Sequence, residues 1–347
     1  MGITLTGISN DMLSTTIYDI EDEVSEALFQ TTPFLSVSRK LKKIKEFNGG
    51  FKIVVPVEVD ESSVETVLTS GWEALNMSVK DATDQAEYDW LRVAMPVLIS
   101  GREEAMNSGD KAIIDLAEVR FKNSLSALMR KVNKEIVGGN TTNLAALGSL
   151  NGINRSTTGF LVNELPSVTS TRTMGGLVRG DVVGLKNQFH QGLGTAADWT
   201  NQGMKDMFEL EALASTLSPS GSDGGRFHLT IASPAAYVNY RNQLFSKERY
   251  IDAKTLDSSG VQSLAFSSGV IMPEREMDVS GVAATKTSMM MLNLDGIQMH
   301  IHKDADFTFT GFENVTGYDG RYGKVLFMGG LVASHLGSSA LLTNMEG

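Results

Sequence analysis

The stretch DKAIIDLAEVRFKNSLSALMRKVNKEIV, residues 110–137, decides the fold, because its apolar residues recur at spacings of three and four. Two glycines and an asparagine follow at 138–140 as a stop signal. The sequence therefore predicts a helix over 110–137, about 40 Å long, with one buried face. The residues that form this apolar stripe are Ile114, Ala117, Phe121, Leu125, Leu128, Val132 and Ile136, and we assign the core of the helix to Ile114, Phe121, Leu125, Leu128 and Val132.

Upstream of this helix, residues 51–59 (FKIVVPVEV) and 87–99 (EYDWLRVAMPVLI) each predict a β-strand that contains one proline. The polar segment 60–86 separates them, so the sequence predicts one long hairpin with a polar tip. A two-stranded hairpin is only marginally stable in water, and the sequence shows no clear third strand beside this one. We therefore expect the hairpin to lie on another surface.

The N-terminal region predicts an amphipathic helix over residues 10–30. Its apolar stripe consists of Leu13, Ile17, Ile20, Val24 and Leu28, and an acidic run over 19–26 lies mostly off that stripe. Pro33 is expected to end this helix. The basic stretch RKLKKIK follows at 39–45, and its simplest interpretation is a solvated face.

The second half of the chain alternates helices and strands, which indicates a mixed core. No internal repeat is visible. The predicted elements are a helix over 204–217, a buried strand over 226–233, a helix over 235–245 that Ser233 caps and Pro234 opens, a strand pair over 287–303 that turns at NLDG (293–296), and a last strand over 324–336.

The composition is that of a folded protein with a surplus of acidic residues. In 347 residues, 30 Lys and Arg stand against 41 Asp and Glu, which gives a formal net charge of −11. This balance argues against a dedicated nucleic-acid binder, whose affinity comes from clustered cations. Cysteine is absent, which excludes thiol nucleophiles, iron–sulfur clusters and disulfides. We see no signal peptide and no membrane-spanning stretch, and we expect synthesis in a reducing cytoplasm.

A search for catalytic and metal-binding patterns finds one weak candidate. His300 and His302 alternate on a predicted strand near Asp304 and Asp306, but polar alternation on a half-exposed strand is the commoner use of this pattern. No P-loop, dinucleotide fingerprint or nucleophile elbow accompanies the histidines. The sequence therefore predicts no catalytic residue, no cofactor and no metal. A competing interpretation is a cytoplasmic enzyme that uses His190 or His228 in a cleft.

The order of these elements resembles that of the major capsid proteins of tailed double-stranded DNA bacteriophages, which have the Hong Kong 97-like fold. The likeness covers nearly the whole chain and is architectural, because this family has no short invariant motif. It is carried by the acidic N-terminal helix, the hairpin strands at 51–59 and 87–99, the solitary helix at 110–137, the strand and helix at 227–245 with Tyr237 and Tyr240, and the final strand at 324–336.

The resemblance implies an α+β fold with four parts. They are an N-terminal arm over 1–47, an extended hairpin loop over 48–100, a peripheral domain over 101–172 and 286–335 that contains the spine helix 110–137, and an axial domain over 173–285 and 336–347. The arm and the hairpin would contact neighbouring subunits. The residues assigned to these contacts are Leu13, Ile17, Ile20, Val24, Leu28, Trp72, Lys80 and Trp90.

The resemblance also implies a structural role without catalysis. Copies of the chain would form pentamers and hexamers of an icosahedral phage head that encloses weakly contacted double-stranded DNA, in a virion assembled in the host cytoplasm. Portal and scaffolding proteins are expected partners, a decoration protein is a further candidate, and no membrane is involved. Because the arm begins near Met1, scaffolding is expected from a separate protein, and no covalent cross-link through Lys80 is expected. The runner-up is the shell protein of an encapsulin-type nanocompartment around a cargo enzyme.

Overall fold

The computed structural model describes residues 14, 17, 32–58, 83–106, 110–138, 149–151, 159–162, 170–191, 203–216, 226–247, 264–267, 269–277, 287–314, 317 and 319–345. The α-helices are Pro33–Lys40, Gly101–Met106, Asp110–Gly138, Met204–Thr216 and Pro234–Lys247, and short 3-10 helices lie at Val183–Leu185, Arg275–Met277 and Lys303–Ala305. In the part of the chain covered by these ranges, no helix is long and apolar enough to cross a membrane. The fold is α+β, as the sequence predicts.

Two six-stranded sheets form the body of the protein. The first sheet contains β1 (Ile44–Phe47), β4 (Leu91–Ser100), β14 (Ile297–His302), β15 (Thr308–Phe309), β16 (Glu313–Asn314) and β17 (Gly320–Ala333). The second sheet contains β9 (Gln188–Gln191), β10 (Leu229–Ala232), β11 (Leu264–Phe266), β12 (Gly269–Pro273), β13 (Thr287–Leu292) and β18 (Ala340–Met345). Three strand pairs accompany them: β2 (Lys52–Glu58) with β3 (Thr83–Asp89), β5 (Ser149–Asn151) with β6 (Gly159–Leu161), and β7 (Thr173–Met174) with β8 (Leu177–Val178).

The long strand β17 organises the first sheet. Along one edge it pairs antiparallel with the whole of β4, from Gly320 opposite Ser100 to Gly329 opposite Leu91. Along its other edge it pairs in succession with β16, β15 and β14. Strand β1 pairs parallel with β14 and forms the outermost strand on that side. One strand therefore joins β4, which is distant in sequence, to three strands that precede it closely in the chain.

The long helix Asp110–Gly138 packs against one face of this sheet. Its buried apolar side chains are Ile113, Ala117, Phe121, Leu125, Leu128, Met129, Val132, Ile136 and Val137, whereas Ile114 is half-buried at the margin of the core. The Ser124 hydroxyl donates to the backbone oxygen of Pro96 at 3.3 Å, which ties the helix to β4. The apolar stripe read from the sequence thus faces the sheet, with a small rotation at its N-terminal end.

The second sheet is covered on both faces, and the three consecutive methionines of β13 show how. Met290 packs in the core shared with the long helix, while Met289 and Met291 pack against the helices Met204–Thr216 and Pro234–Lys247 on the opposite face. Neighbouring side chains of a strand point to opposite faces, so a strand covered on both faces is apolar throughout. The methionines are therefore core residues.

The predicted hairpin is shorter than expected, because its second strand is divided. Only β3 pairs with β2, from Lys52 opposite Asp89 to Glu58 opposite Thr83. After Trp90 the chain enters β4, which belongs to the first sheet and pairs with β17. The expectation that no third strand lies beside this region is therefore wrong: the partner comes from the far C-terminal part of the chain.

The turn at 293–296 is also different from the prediction. Strands β13 and β14 flank it as expected, but they do not pair with each other: β13 lies in the second sheet between β10 and β18, and β14 lies in the first sheet. The segment is a crossing between sheets and not a hairpin turn. The strand Thr287–Leu292, which the sequence assigns to the peripheral part, therefore pairs with strands assigned to the axial part.

Two helix starts illustrate how proline acts at the first helical position. Ser233 caps the helix Pro234–Lys247, as predicted, and its hydroxyl oxygen accepts from the N–H of Ala236 at 3.3 Å. Pro33, which the sequence predicts at the end of a helix, instead begins the helix Pro33–Lys40. Proline lacks the N–H that a first turn leaves unpaired in any case, so it serves as a start as readily as a stop.

Candidate assembly surface

The root of the hairpin, strands β2 and β3, lies on the body of its own chain through one face. Ile53, Val57 and Ala86 are buried there, and Ile53 lies over Gly330 of β17. The backbone N–H of Glu87 donates to the oxygen of Gly175 at 2.9 Å. A two-stranded hairpin is only marginally stable alone, and these contacts with the body stabilise its base. The outer face of β2 and β3 remains for contacts elsewhere.

The outer face of the hairpin root combines charge with exposed apolar area. The Lys52 ammonium pairs with the Glu87 carboxylate at 2.6 Å across the strands, and that carboxylate raises the pKa of Lys52. Beside this pair, Val54 is 50% exposed and Phe51, just before β2, is 93% exposed. A phenylalanine this exposed is unusual on a monomeric surface, so this face has the character of a contact surface.

A second exposed apolar area lies on the first sheet, on the face opposite the long helix. We call it the outer sheet face and define it by the outward-pointing residues of β4 and β17: Arg92, Ala94, Pro96, Leu98, Tyr322, Lys324, Leu326 and Met328. Leu98 is 54% exposed and lies opposite Tyr322, and Pro96 lies opposite Lys324. A sheet face that carries leucine, proline and alanine to solvent is typical of a surface that another chain covers.

Ion pairs hold the end of β4 that carries Leu98. Glu103 and Glu104 lie on the short helix Gly101–Met106 and point apart, as expected for consecutive helical positions. Glu103 pairs with Arg120 of the long helix, and Glu104 pairs with Arg321 of β17. The hydrogen bond from the Ser100 backbone lowers the pKa of Glu103, and Arg120 lowers it further. The outer sheet face is therefore held in a fixed position at this end.

The histidine cluster considered for metal binding lies at the other edge of the same face. His300 is buried with its ring 4.7 Å from that of Phe47, and neither ring nitrogen has a hydrogen-bond partner among the described residues. Burial lowers the pKa of His300 to about 4, with Lys45 adding to the shift. The Nδ1 atom of His302 accepts from the Asp304 N–H at 3.2 Å. This arrangement packs a neutral imidazole into an aromatic cluster.

The two histidines of the enzyme interpretation have separate surroundings. The Nδ1 atom of His228 accepts from the N–H of Leu294 at 3.2 Å and fixes the crossing between the two sheets. The Nε2 atom of His190 lies 3.3 Å from the carboxylate of Asp206, which is buried beneath it at the start of the helix Met204–Thr216. Burial raises the pKa of Asp206, and His190 opposes that shift. Both contacts join secondary-structure elements to one another.

The residues assigned to contacts between subunits are only partly covered by the structure. Ile17 is 1% exposed within the core of its own chain, and nearby Ser14 accepts from the N–H of Phe312 at 2.9 Å. Trp90 is half-buried at the junction of β3 and β4, with its ring 6.1 Å from that of His302. The assigned residues that lie outside the described ranges are Leu13, Ile20, Val24, Leu28, Trp72 and Lys80.

The outer sheet face was not identified from sequence, although a signal is present. The outward positions of β4 from 94 to 98 are Ala, Pro and Leu, where a solvated strand would carry polar residues. An apolar residue at every position indicates a strand with two apolar faces. Because the predicted partner was the hairpin strand and not β17, this pattern was not assigned to a face.

No protein-family model matches this sequence, and no curated protein matches it. Solved structures do match the fold. The cyanophage A-1(L) capsid chain is 14% identical with a TM-score of 0.59, and the match covers 90% of this chain and 92% of that one. The capsid of Myoviridae phage XM1 is 12% identical with a TM-score of 0.55, covering 89% and 92%. The encapsulin of the holo-SrpI complex from Synechococcus elongatus PCC 7942 is 12% identical with a TM-score of 0.51, covering 87% and 85%.

These three likenesses cover at least 87% of this chain and at least 85% of each structure compared. At this level of identity the likeness concerns the fold. The chain therefore has the Hong Kong 97-like capsid fold that the order of its elements predicts.

Proposed function

We propose that this chain, which has the fold of shell-forming capsid subunits, is a structural major capsid protein. Copies assemble into pentamers and hexamers of an icosahedral phage head that encloses double-stranded DNA. The observation that carries the proposal is the correspondence with the cyanophage capsid over 90% of this chain and 92% of that chain. Because the match covers nearly all of both chains, it supports a similar function for this chain.

The surfaces described above support this function from the physics of a single subunit. Phe51, Val54 and Leu98 are half exposed or more, and they lie on the hairpin and on the outer sheet face. Burial of apolar area favours association, because it removes that area from water. Contacts between different patches of identical chains generate rings when the rotation closes. The hairpin, the arm residues Leu13, Ile20, Val24 and Leu28, and Trp72, Lys80 and Trp90 are proposed to contribute to such contacts.

The remaining parts of the proposal concern partners and location. The protein acts without catalysis in the virion and assembles in the host cytoplasm. Portal and scaffolding proteins, and a decoration protein, are proposed partners. Its net charge of −11 favours weak contact with DNA, because clustered cations are what hold a phosphate backbone. Retention of duplex DNA by purified shells at physiological salt would contradict this last point.

A second candidate function is the shell of a nanocompartment that encloses a cargo enzyme. The observation in its favour is the likeness to an encapsulin, with a TM-score of 0.51 over 87% of this chain. The two functions share the same fold and the same self-assembly. They differ in what the shell contains, so the content of purified particles separates them.

The test is electron microscopy of the overexpressed full-length protein, which is expected to show closed particles of uniform size. Leu98→Glu places a charge on the outer sheet face and should prevent closure while the subunit stays folded, as judged by circular dichroism. A wild-type protein that stays a compact monomer at high concentration would overturn the shell proposal. Particles that contain one co-purified enzyme, with no portal protein among the neighbouring genes, would favour the nanocompartment.

A further inference from the structure

The segment Phe47-Asn48-Gly49-Gly50-Phe51 connects the first sheet to the hairpin, and of these residues Phe47 is paired in β1 with its ring against that of His300. All five residues are exposed. Gly49 has a φ of 139°, and nothing lies within 4 Å of the position that a Cβ atom would take there. Gly50 also has a positive φ, of 115°. Within the described part of the chain, the N–H of Gly49 has no hydrogen-bond acceptor. No contact among the described residues therefore holds the backbone of Gly49 in one conformation.

From this geometry we infer that Asn48 is a site of spontaneous deamidation. The backbone nitrogen of Gly49 attacks the side-chain carbonyl carbon Cγ of Asn48, and a nitrogen–carbon bond forms. The bond between Cγ and Nδ2 breaks, and ammonia leaves with the proton of the attacking nitrogen. Water then opens the cyclic imide at either carbonyl, which gives aspartate or isoaspartate. No oxidant or reductant is needed.

Three features of this site favour the reaction. Glycine after the asparagine has no side chain to obstruct the approach of the backbone nitrogen. Among the described residues no acceptor holds the attacking N–H, so no hydrogen bond to this part of the chain must break first. Because the segment is exposed, water can reach the ring and open it. No packed neighbour in the described ranges obstructs the change in backbone conformation that the reaction requires.

The chain contains an internal comparison, because a second Asn-Gly pair occurs at residues 151–152. The backbone of Asn151 belongs to β5, where Asn151 pairs with Leu161 of β6. Because Asn151 is held in a paired strand, this pairing must open locally before Asn151 can adopt the conformation that ring closure requires. An opening free energy of about 1.4 kcal/mol slows a reaction about tenfold. The structure therefore assigns the faster reaction to Asn48.

The reaction would change the junction in two ways. Each event replaces a neutral amide with a carboxylate and adds one negative charge. The isoaspartate product also adds one atom to the backbone between β1, which is held in the sheet, and β2, which carries the hairpin. Because this segment connects the hairpin to the first sheet, the reaction would alter how the hairpin packs on the body in aged protein. This inference does not depend on the proposed function.

The test is to incubate the purified full-length protein at neutral and at mildly alkaline pH and follow peptides by mass spectrometry. The peptide with Asn48 is expected to gain the mass of deamidation about tenfold faster than the peptide with Asn151, and to react faster at alkaline pH. Labelling by a protein isoaspartyl methyltransferase should mark the product. Asn48→Gln should remove most of the label and of the acidic shift in isoelectric focusing, whereas Asn151→Gln should leave both.

The urea-unfolded protein provides the reference rate for both asparagines. Asn48 should react in the native protein at a rate close to that in the unfolded protein, while Asn151 should be slowed by folding. If Asn48 is stable in the native protein but reacts on unfolding, the inference is wrong. It is also wrong if Asn151 reacts as fast as Asn48 in the native state.

Discussion

The phenol of Tyr88 joins the hairpin to the end of the longest strand: its hydroxyl donates to the backbone oxygen of Ala333 at 2.9 Å and lies 3.4 Å from the nitrogen of the same residue. Tyr88 is near the end of β3, and Ala333 is the last residue of β17. Burial raises the pKa of Tyr88 to about 12. At Ala333, β4 no longer runs beside β17. The Tyr88 hydroxyl there bonds the backbone groups of β17 that a partner strand would otherwise bond.

Removing this hydroxyl should loosen the hairpin root. We expect Tyr88→Phe to lower the free energy of unfolding by about 1 kcal/mol, the usual contribution of one hydrogen bond, because the buried backbone of Ala333 loses its partner. Hydrogen exchange should become faster over 52–58 and 83–89. Tyr322→Phe, on the outer sheet face, is the matched control and should leave these amides unchanged. Equal exchange in wild type and Tyr88→Phe would contradict this role.

The tip of the hairpin should be needed for assembly and not for folding. Because Glu58 pairs with Thr83, replacing residues 59–82 with Gly-Asn leaves a two-residue turn between paired strands. The shortened protein should unfold near the wild-type temperature, since the buried contacts of Ile53, Val57 and Ala86 are kept. Electron microscopy should show no stable shells.

Two outcomes would count against this division of roles. Intact shells from the shortened protein would show that the tip makes no essential contact. Failure to fold, seen as loss of the circular dichroism signal of the native subunit, would mean that the tip contributes to the body.

A charge in the stripe of the long helix should prevent folding. Leu125 is fully buried, and Leu125→Asp would leave a carboxylate without a partner in the core, at a cost of more than about 4 kcal/mol. Ala127, two residues later, is exposed, so Ala127→Asp is the control and should fold. Soluble yield and thermal unfolding check both variants. A native-like yield of Leu125→Asp would mean that this face of the helix is not buried.

Glu274 should lower the stability of the protein at neutral pH. It is buried, the Nδ2 atom of Asn133 donates to it at 3.0 Å, and burial raises its pKa. A raised carboxyl pKa means that the folded state binds more protons, so the free energy of unfolding falls as the pH rises from about 4.5. The Oδ1 atom of Asn133 is buried without a partner among the described residues, and an amide at 274 could donate to it.

We therefore expect Glu274→Gln to raise the free energy of unfolding by about 1 kcal/mol at pH 7 and to flatten its pH dependence. Urea unfolding at several pH values is the measurement. Glu276→Gln, at a half-buried neighbour, serves as the comparison and should have little effect. A destabilised Glu274→Gln variant would show that the ionised carboxylate is favourable in this place.

His300 should make the protein sensitive to acid. Its pKa is about 4 in the folded protein against 6.5 for an ordinary histidine, so the folded state binds fewer protons between these values. The stability linked to this group is fully present above about pH 6.5 and is lost as the pH falls towards 4, up to about 3 kcal/mol. His300→Phe should reduce this loss. His302→Gln, a neighbour on the same strand, should keep it.

Local patterns predicted the elements better than their partners. The stripe of the helix Asp110–Gly138 and the cap at Ser233 are encoded within a few residues, and the structure places both at the expected residues. The division of the second hairpin strand at Trp90 was missed, because strand periodicity continues unchanged through it. What ends the hairpin there is β17, more than two hundred residues later, and no local signal refers to it.

The turn at 293–296 was misread for a related reason. Its sequence NLDG is a good two-strand turn, and both flanking segments are strands. However, the successive methionines 289–291 have no polar position between them, which fits a strand covered on both faces and not one of a hairpin with a solvated face. The apolar run was the stronger signal. The sequence of one chain does not specify contacts between copies. An exposed residue such as Leu98 has the same local pattern whether it stays exposed or is covered by a second copy.

The position of β17 near the end of the chain sets the order in which the protein can become complete during synthesis. Strand β4 leaves the ribosome early, but its partner Gly320–Ala333 follows after most of the remaining chain has been made. Until then β4 has an unpaired edge, and the surface that includes Leu98 and Tyr322 does not exist. A nascent chain therefore cannot form the outer sheet face, or any contact that depends on it, before residues 320–333 have been made.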